Sequence, residues 1–185
     1  RDISIISGET SYHEYSQELE ISVSLSGDKY INRKPNRFEI GDYLVGVESS
    51  GLMDNGFTTI RKIYGDEFRK EFVEPTFVYY DVIIDMLERE IPINGMVHIT
   101  GGAFSKIKKL IGNDSDVLIE QDSLKPQEIF YEIMKKGKLT DEEMYKIFNC
   151  GIGFVLSVPG KPKGNFEDVI AEFISKGFKA VSIGK

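Results

Sequence analysis

The stretch MVHITGGAFSKIKKLIG, residues 96–112, changes its hydrophobic period at a pair of glycines. The alternating residues before the glycines predict a β-strand, and the spacing of apolar residues after them predicts an amphipathic helix. Glycine at such a junction permits a positive φ and lets the backbone approach another group closely. The pattern therefore indicates either an ordinary tight turn or an anion site built on backbone N–H groups.

The composition of the chain excludes several classes of protein. Of its 185 residues, 41% are hydrophobic and 29% are charged, a balance typical of a globular domain with a substantial core. The net charge of −7 argues against a surface for nucleic acid or for an anionic membrane. A single cysteine, Cys150, and the lack of an apolar run of about 18 residues make a reducing cytoplasm the expected compartment.

Residues that bind soft metals are scarce in this sequence. His13, His98 and Cys150 are too few for a zinc site, so metal chemistry would have to use carboxylates and Mg²⁺. A catalytic thiol needs a neighbouring base, and neither histidine is close to Cys150 in sequence. We therefore interpret Cys150 as a small buried hydrophobe before a positive-φ Gly151, and His98 as a strand histidine with satisfied hydrogen bonds.

Short runs rich in Val and Ile alternate with helical patterns from residue 37 onward. The predicted strands cover residues 42–48, 95–100, 116–120, 152–158 and 179–184. Helices are predicted after the glycine pair and at residues 57–64, 77–90, 140–148 and 165–177. This order predicts an α/β (α+β) fold in which helices pack on a mixed β-sheet.

Three of the helices have specific signals. Val78, Val82, Met86 and Leu87 form an apolar stripe on the helix at residues 77–90. Thr140 and Glu143 match a capping box at the start of the next helix. The last helix has Asn165 as its expected N-cap and Gly177 as its expected stop.

Residues 1–36 have a different pattern. ISIISGET (3–10) and LEISVSLSGDKY (19–30) are strand-like, and no helical pattern follows before the polar connector NRKPNR (32–37). A pair of strands alone is marginally stable in water. Because the chain also begins at Arg1, we interpret residues 1–36 as the last strands of an incomplete N-terminal domain and residues 37–185 as a C-terminal α/β domain.

Two loops that follow predicted strands are rich in small hydrogen-bond donors. They contain Ser49, Ser50, Gly51 and Asn55 in the first loop, and Thr100, Gly101 and Gly102 in the second. Ligands of α/β sheets collect at the carboxyl ends of strands, so we expect the two loops to face one crevice. Hydroxyl and N–H groups suit a phosphate or a carboxylate better than a metal, and neither loop matches a P-loop or Rossmann motif.

Three lysines follow the glycine pair, namely Lys106, Lys108 and Lys109. Long charged side chains after such a turn usually form a solvated face. One of the three could also lean toward a phosphate bound at the loop.

Five motifs together resemble those of aminoimidazole ribonucleotide synthetase, the phosphoribosylformylglycinamidine cyclo-ligase family. In order, they are SGET (7–10), SSGLMDNGFTTIRK (49–62), EPTFVYYDVI (74–83), HITGGAF (98–104) and EEMYKIFNCGIGF (142–154). The resemblance covers roughly the second half of that enzyme: the last strands of its ATP-binding domain and most of its C-terminal α/β domain.

The resemblance implies a reaction of purine biosynthesis. ATP would phosphorylate the formyl amide oxygen of formylglycinamidine ribonucleotide, and the amidine nitrogen would then close the ring of aminoimidazole ribonucleotide and expel phosphate. The resemblance also implies a cytoplasmic homodimer, with ATP and Mg²⁺ held mainly by the N-terminal half, so that this chain alone would be inactive. Matched positions imply nucleotide contacts for Glu9 and Thr10, and substrate contacts for Ser49, Ser50, Gly51, Asn55, Thr100, Gly101, Gly102 and Asn149.

One departure from the family pattern leaves alternatives open. The family usually has Ser-Ser-Gly-x-His-Ser-Asn-Gly in the first loop, where this chain has Met53 and Asp54 in place of His-Ser. The alternatives are a divergent member of the wider superfamily, which includes selenophosphate synthetase, thiamine-monophosphate kinase and a hydrogenase-maturation protein, or a non-catalytic ligand-binding module. The Phe-Asn-Cys-Gly and Glu-Pro-Thr stretches favour the cyclo-ligase.

Overall fold

The structure, a computed structural model, describes residues 22–26, 35–112, 115–120 and 123–185. The chain divides into two units, Arg1–Tyr30 and Ile31–Lys185. In the first unit, residues 22–26 form no helix or strand, and Val23 and Leu25 are exposed. The strand-like run at residues 3–10 and residues 27–34 lie outside the described residues, so the domain boundary after residue 36 stays a prediction.

The second unit alternates strands and helices. In chain order these are β1 (Tyr43–Glu48), α1 (Phe57–Tyr64), α2 (Tyr80–Glu88), β2 (Gly95–His98), α3 (Glu128–Gly137), α4 (Asp141–Ile147), β3 (Ile152–Val158), α5 (Phe166–Ser175) and β4 (Ala180–Gly184). Two 3-10 helices, Lys70–Phe72 and Ala103–Lys109, lie in the connections. None of the helices formed by the described residues combines the length and the apolar character needed to span a bilayer.

The four strands form one sheet in the order β2-β3-β1-β4. Val45 in β1 lies opposite Leu156 in β3 and Ser182 in β4. The fold class, helices packed on a sheet in an α+β arrangement, is confirmed. Every pairing between these strands is antiparallel, whereas the sequence predicted a mixed sheet. The difference arises because hydrophobic periodicity carries no information on strand direction, which the connections decide.

Both faces of the sheet are covered. One face, which carries the odd-numbered residues of β1, packs against α2 and α5. Its core includes Val45 and Leu156 from the sheet, Val82 and Met86 from α2, and Phe173 from α5. The opposite face carries a second core, whose buried members include Leu44, Ile99, Ile107, Val155 and Ile183. The 3-10 helix Ala103–Lys109 lies on this second face, which places the loop before it at the end of β2.

Helices α1, α3 and α4 form a third cluster, with Ile60, Ile133 and Phe148 among its buried residues. The capping box of α4 is confirmed, since Thr140 accepts from the Glu143 N–H while the Glu143 carboxylate accepts from the Thr140 N–H. Such a cap stabilises a helix by about 1 kcal/mol. Asn165 caps α5 as predicted, and Gly177 after that helix has a φ of 88°.

Two predicted elements differ from the structure. The segment after the glycine pair is a 3-10 helix, because the chain leaves the turn with positive φ at both Gly102 (83°) and Ala103 (43°) and so enters a tighter winding. The predicted strand at residues 116–120 makes only an isolated bridge, between Ile119 and Gly184. Within this run Leu118 is 71% exposed.

The apolar stripe on α2 is shorter than predicted. Val82 and Met86 are buried and Leu87 packs against the same core. Val78 precedes the helix and is 70% exposed, because α2 begins only at Tyr80. Residues 76–79, between Pro75 and α2, form no regular element. Pro75 also restricts the backbone of the residue that precedes it, Glu74.

Candidate ligand-binding site

The first loop, residues 49–56, connects β1 to α1 and is anchored at its beginning. Ser49 is buried, and its N–H donates to the Gly151 carbonyl over 2.9 Å. The Gln127 side-chain amide donates to the Ser49 carbonyl over 2.6 Å. Two segments that are distant in sequence therefore hold the start of this loop.

Asn149 fastens the middle of the same loop. Its side chain is fully buried, and Nδ2 donates to the carbonyls of Gly51 (2.7 Å) and Leu52 (3.2 Å). Its Oδ1 accepts from the Gly151 N–H over 3.0 Å. These bonds occupy both ends of the amide, so Asn149 acts on the loop itself, and its predicted contact with substrate stays a prediction.

Met53 and Asp54, at the positions where the sequence departs from the family motif, both have left-handed backbones, with φ of 52° and 57°. The Met53 side chain is 2% exposed and lies 3.6 Å from the Tyr79 hydroxyl, measured from its sulfur. The Thr76 hydroxyl donates to the Asp54 carboxylate over 2.9 Å. Position 53 is thus part of the core, and Asp54 is directed toward the segment before α2.

The second loop, Thr100–Gly102, follows β2 and is more open. The Ala103 N–H donates to the Thr100 carbonyl over 2.6 Å, which closes a turn with Gly102 at a φ of 83° and ψ of −1°. Gly101 and Gly102 are exposed. Lys106 Nζ donates to the Thr100 hydroxyl and, over 3.3 Å, to the His98 carbonyl.

The two loops meet at Asn55 and Gly101. A Cβ added to Gly101 would lie 3.7 Å from Asn55 Oδ1. Asn55 is 8% exposed, and its Nδ2 has no hydrogen-bond partner among the described residues. The structure therefore brings Asn55 together with the glycine pair, with the acceptor Oδ1 as the atom placed beside Gly101.

Ser50 and Gly51 line a different feature, a cleft of about 330 Å³. Glu71, Glu74, Glu128 and Glu132 line the same cleft, with Arg69 as its basic residue. Arg69 is already paired with Glu132 at 2.5 Å and with Glu71 at 3.3 Å. Because carboxylates are in excess there, the charge of this cleft counts against an anion, although the predicted substrate contacts of Ser49, Ser50 and Gly51 stay predictions.

The side chains near the second loop have shifted pKa values. Burial, followed by the nearby Lys106 charge, lowers the pKa of His98. Burial, followed by the Lys109 charge, lowers the pKa of Lys106. The His98 ring packs beside Tyr79 and Phe154, but its buried Nε2 has no partner among the described residues, so the expectation of a satisfied histidine is wrong for that atom.

Cys150 behaves as the sequence predicted. It is 4% exposed, and burial raises the pKa of its thiol to about 12. A thiol that stays protonated at neutral pH is a poor nucleophile. Gly151 has a φ of 92°, which confirms its predicted positive φ.

No group of three or more His, Cys, Asp or Glu side chains that could hold a metal ion occurs within residues 22–26, 35–112, 115–120 and 123–185. Glu9 and Thr10, the predicted nucleotide contacts, lie outside the described residues.

Three groups that shape this site had no role in the sequence analysis: Gln127, and Thr76 and Tyr79, which were noted only as part of the motif at residues 74–83. Gln127 binds Ser49, the Tyr79 hydroxyl donates to the Glu48 carbonyl over 2.7 Å, and Thr76 binds Asp54. Each acts across at least 22 residues of sequence. No local pattern identifies such partners, because their contacts exist only after folding.

Sequence comparisons with known proteins indicate a single family for this chain. The family model "AIR synthase related protein, C-terminal domain" matches residues 39–185. Proteins named phosphoribosylformylglycinamidine cyclo-ligase are similar to this chain at 36% identity in Clostridium perfringens (85% of this chain, 48% of the relative), Thermoplasma volcanium (89% and 53%) and Saccharolobus solfataricus (85% and 48%). The chain thus spans about half the length of these relatives.

A solved structure described as T. maritima PurL complexed with FGAR has a TM-score of 0.47 to this chain. The sequence identity is 8%, and the match covers 81% of this chain and 24% of that chain. A similarity at this level does not establish a relationship to that protein, and the family of this chain rests on the sequence comparisons.

Proposed function

Because this chain belongs to the AIR synthase related family, whose C-terminal domain it contains, we propose that it forms part of a phosphoribosylformylglycinamidine cyclo-ligase. The observation that carries the proposal is the shared name of relatives that are each 36% identical to this chain over 85% of its length or more. Those names support a ligase of the cyclo-ligase type. The ATP dependence and the substrate are our proposals.

The proposed reaction converts formylglycinamidine ribonucleotide and ATP to aminoimidazole ribonucleotide, ADP and phosphate. ATP transfers a phosphoryl group to the formyl amide oxygen. The amidine nitrogen then attacks the formyl carbon, and the phosphorylated oxygen leaves as phosphate when the ring closes. An attack within one molecule depends on positioning more than on a covalent partner from the protein.

The loops after β1 and β2 have the groups that positioning requires. Fixed N–H, amide and hydroxyl donors hold charged oxygens with little reorganisation. The open donors are the N–H groups of the exposed Gly101 and Gly102, and Asn55 lies beside Gly101. Asn149 and Ser49 support this arrangement from the interior by fastening the first loop to the chain around Gly151.

Among the described residues, no group of three or more His, Cys, Asp or Glu side chains could hold the Mg²⁺ that accompanies ATP. We propose that the nucleotide and its magnesium are held mainly by the half of the relatives that this chain does not span, with Glu9 and Thr10 completing that site. We further propose a homodimer in the cytoplasm. The expected stoichiometry can be measured by sedimentation of the full-length protein.

The departure at Met53 and Asp54 favours one alternative, a divergent superfamily member with another substrate. Met53 is part of the core, so this position presents no donor to a ligand. A non-catalytic binding module is the second alternative, and it would bind the ribonucleotide without turnover.

The test measures ADP release and aminoimidazole ribonucleotide formation by the full-length protein that contains this chain. We expect both products in equal amounts with formylglycinamidine ribonucleotide, and no ADP release from the 185-residue chain alone. Selenide and thiamine monophosphate serve as control substrates. ATP consumption with either control substrate but not with the ribonucleotide, or ribonucleotide binding without turnover, would contradict the proposal.

A further inference from the structure

A cavity of about 420 Å³ lies at the other end of β1 from the loop at residues 49–56. Its buried lining residues include Leu44, at the start of β1, and Ser157, near the end of β3. All of its lining residues lie between positions 38 and 185 and so belong to the second unit. Cavities of about 300–1,000 Å³ are typical of small-molecule sites, so this one is large enough for a ligand.

One wall of the cavity is fixed by pairing with the end of β4. The Leu118 N–H donates to the Lys185 carbonyl over 3.1 Å, and the Lys185 N–H donates to the Leu118 carbonyl over 3.1 Å. The two segments approach so closely that a Cβ added to Gly184 would overlap the Leu118 carbonyl. This wall is therefore held in place by the backbone, and the cavity is already formed without a ligand.

The lining of the cavity is largely apolar. Its apolar side chains are those of Phe38, Ile40, Leu44, Ile111, Val117 and Leu118. Ile40 is 89% exposed and Leu118 is 71% exposed. Single exposed apolar side chains are common on protein surfaces, but here two large ones border the same cavity. A ligand with an apolar body would remove both from water, which favours binding.

Asp42 adds a buried carboxylate to this lining, with 5% of the residue exposed. Its Oδ2 accepts from the Glu39 N–H over 3.1 Å, from the Ser157 hydroxyl, and from the Asn94 side-chain amide over 3.0 Å. Among the described residues, its Oδ1 accepts only from that amide, over 3.0 Å. A carboxylate oxygen has two lone pairs, so Oδ1 retains one position for a further donor. All of the present donors are neutral, so they leave the charge of Asp42 without a counter-ion.

The charge of the lining is negative. None of the ion pairs between described residues includes Glu39, Asp42 or Asp116, which all line the cavity. Lys185 is the basic residue of the lining, and its Nζ lies 4.8 Å from the centre of the Tyr43 ring. A buried anion without a counter-ion is costly, so an external cation is favourable here. No group of three or more His, Cys, Asp or Glu side chains in the described ranges could hold a metal ion, which favours an organic cation.

We propose that this cavity binds a small organic cation, a primary ammonium group on an aliphatic chain. The ammonium donates to Asp42 Oδ1, and the exposed carboxylates of Glu39 and Asp116 add to the attraction. The aliphatic chain packs against Ile40 and Leu118 at the mouth of the cavity. This site lies at the beginning of β1, and the proposal does not rest on the proposed function.

The experiment is a titration of the 185-residue chain with hexylamine at pH 7, followed by amide ¹H–¹⁵N chemical shifts. Hexylamine is a cation at this pH, because alkyl ammonium groups lose their proton only near pH of about 10. We expect saturable shifts centred on Gly41, Asp42 and Leu118, with a dissociation constant of about 1 mM. Hexanol, which has the same chain without the charge, should bind about tenfold more weakly, and hexanoate should not shift these amides.

Variants of the lining test the role of the carboxylates. Asp42→Asn should weaken hexylamine binding about tenfold, and a thermal melt shows whether this variant keeps its fold. Glu39→Gln combined with Asp116→Asn changes only exposed side chains and should weaken binding about threefold, even if Asp42→Asn fails to fold. Glu88→Gln, which removes an exposed charge from α2, is the control and should change the affinity less than about 1.5-fold.

Several outcomes would overturn the proposal. It fails if hexylamine at about 10 mM leaves the Gly41, Asp42 and Leu118 amides unshifted, or if hexanol binds as tightly as hexylamine. It also fails if a folded Asp42→Asn binds with unchanged affinity, or if the double variant and Glu88→Gln weaken binding equally. The peptide acetyl-Leu-Lys-Leu-amide tests a polypeptide occupant, and binding at the same amides more than about tenfold tighter than hexylamine would replace the small molecule by a polypeptide partner.

Discussion

The loops after β1 and β2 have similar sequences of small and donor residues, but they differ in how those donors are used. In the first loop, the Ser49 N–H donates to the Gly151 carbonyl, and Asn149, which precedes β3, donates to the Gly51 carbonyl; both residues are buried. In the second loop, Gly101 and Gly102 are exposed and their N–H groups remain free of described partners. The first loop is therefore a support, and the second is the one that can bind a ligand.

Burial explains this division of roles. A polar group inside a protein must find a partner there, because an unsatisfied buried donor costs about 1–3 kcal/mol. The first loop enters the interior beside Phe148, which is fully buried, and its polar groups are paired by Asn149 and Gln127. The exceptions are Ser50 Oγ and Asn55 Nδ2, which are buried without a hydrogen-bond partner among the described residues.

The largest expected effect is on the first loop, in Gly56→Ala. Gly56 has a φ of 74°, and an added Cβ would overlap the Phe148 ring. We expect the free energy of unfolding to fall by about 3 kcal/mol, from backbone strain and overpacking together. Gly177→Ala is the matched control, because Gly177 has a φ of 88° with nothing within 4 Å of its added Cβ and should lose only about 1 kcal/mol. Urea unfolding measures the free energy of unfolding of both variants. Equal losses would mean that the first loop shifts to accommodate the added Cβ at little cost.

A smaller loss of stability is expected from Asn149→Ala. This change leaves the Gly51 and Leu52 carbonyls and the Gly151 N–H without the partner that now binds them. The cost should be about 2–3 kcal/mol in urea unfolding. Asn165→Ala removes an exposed helix cap as a control and should cost about 1 kcal/mol. If Asn149→Ala costs no more than Asn165→Ala, the first loop does not depend on its interior hydrogen bonds.

The smallest effect on stability is expected in the second loop, where two glycines can be compared. Gly102→Ala should lose about 1 kcal/mol, because Gly102 has a φ of 83°. Gly101 has no such φ, and its added Cβ would make an ordinary contact at 3.7 Å, so Gly101→Ala should lose less than about 0.5 kcal/mol. Gly101→Ala should nevertheless weaken ribose 5-phosphate binding about tenfold, since the Cβ obstructs approach to the backbone. Unchanged affinity in Gly101→Ala would show that the glycine pair serves the fold alone.

Much of the fold followed from local sequence patterns. The strand at residues 152–158 was predicted to the residue, and β1 and β4 to within one residue. The capping box at Thr140 and Glu143 was also predicted, because both partners lie within one turn of helix. The helix after the glycine pair was wrong in type, since the positive φ of Ala103 depends on a turn that no propensity describes.

The candidate site followed from the sequence only in part. The small residues of both loops were recognised, and the meeting of Asn55 with Gly101 agrees with the expectation that the loops approach each other. The acidic surroundings of Ser50 and the tie between Lys106 and Thr100 were not predicted. Both depend on residues that a linear motif does not connect.

The sequence by itself determined the four strands of the sheet, the helices α1, α2, α4 and α5, the helix caps and the family motifs, because these depend on neighbours within a few residues, but it did not indicate α3. The tertiary structure decided strand direction, which donors are buried and which remain open. The hydrogen bond from Asn149 to Gly51 joins residues that are 98 positions apart. Contacts of that kind are made by packing, and they determine why one of two similar loops supports the fold while the other remains open to a ligand.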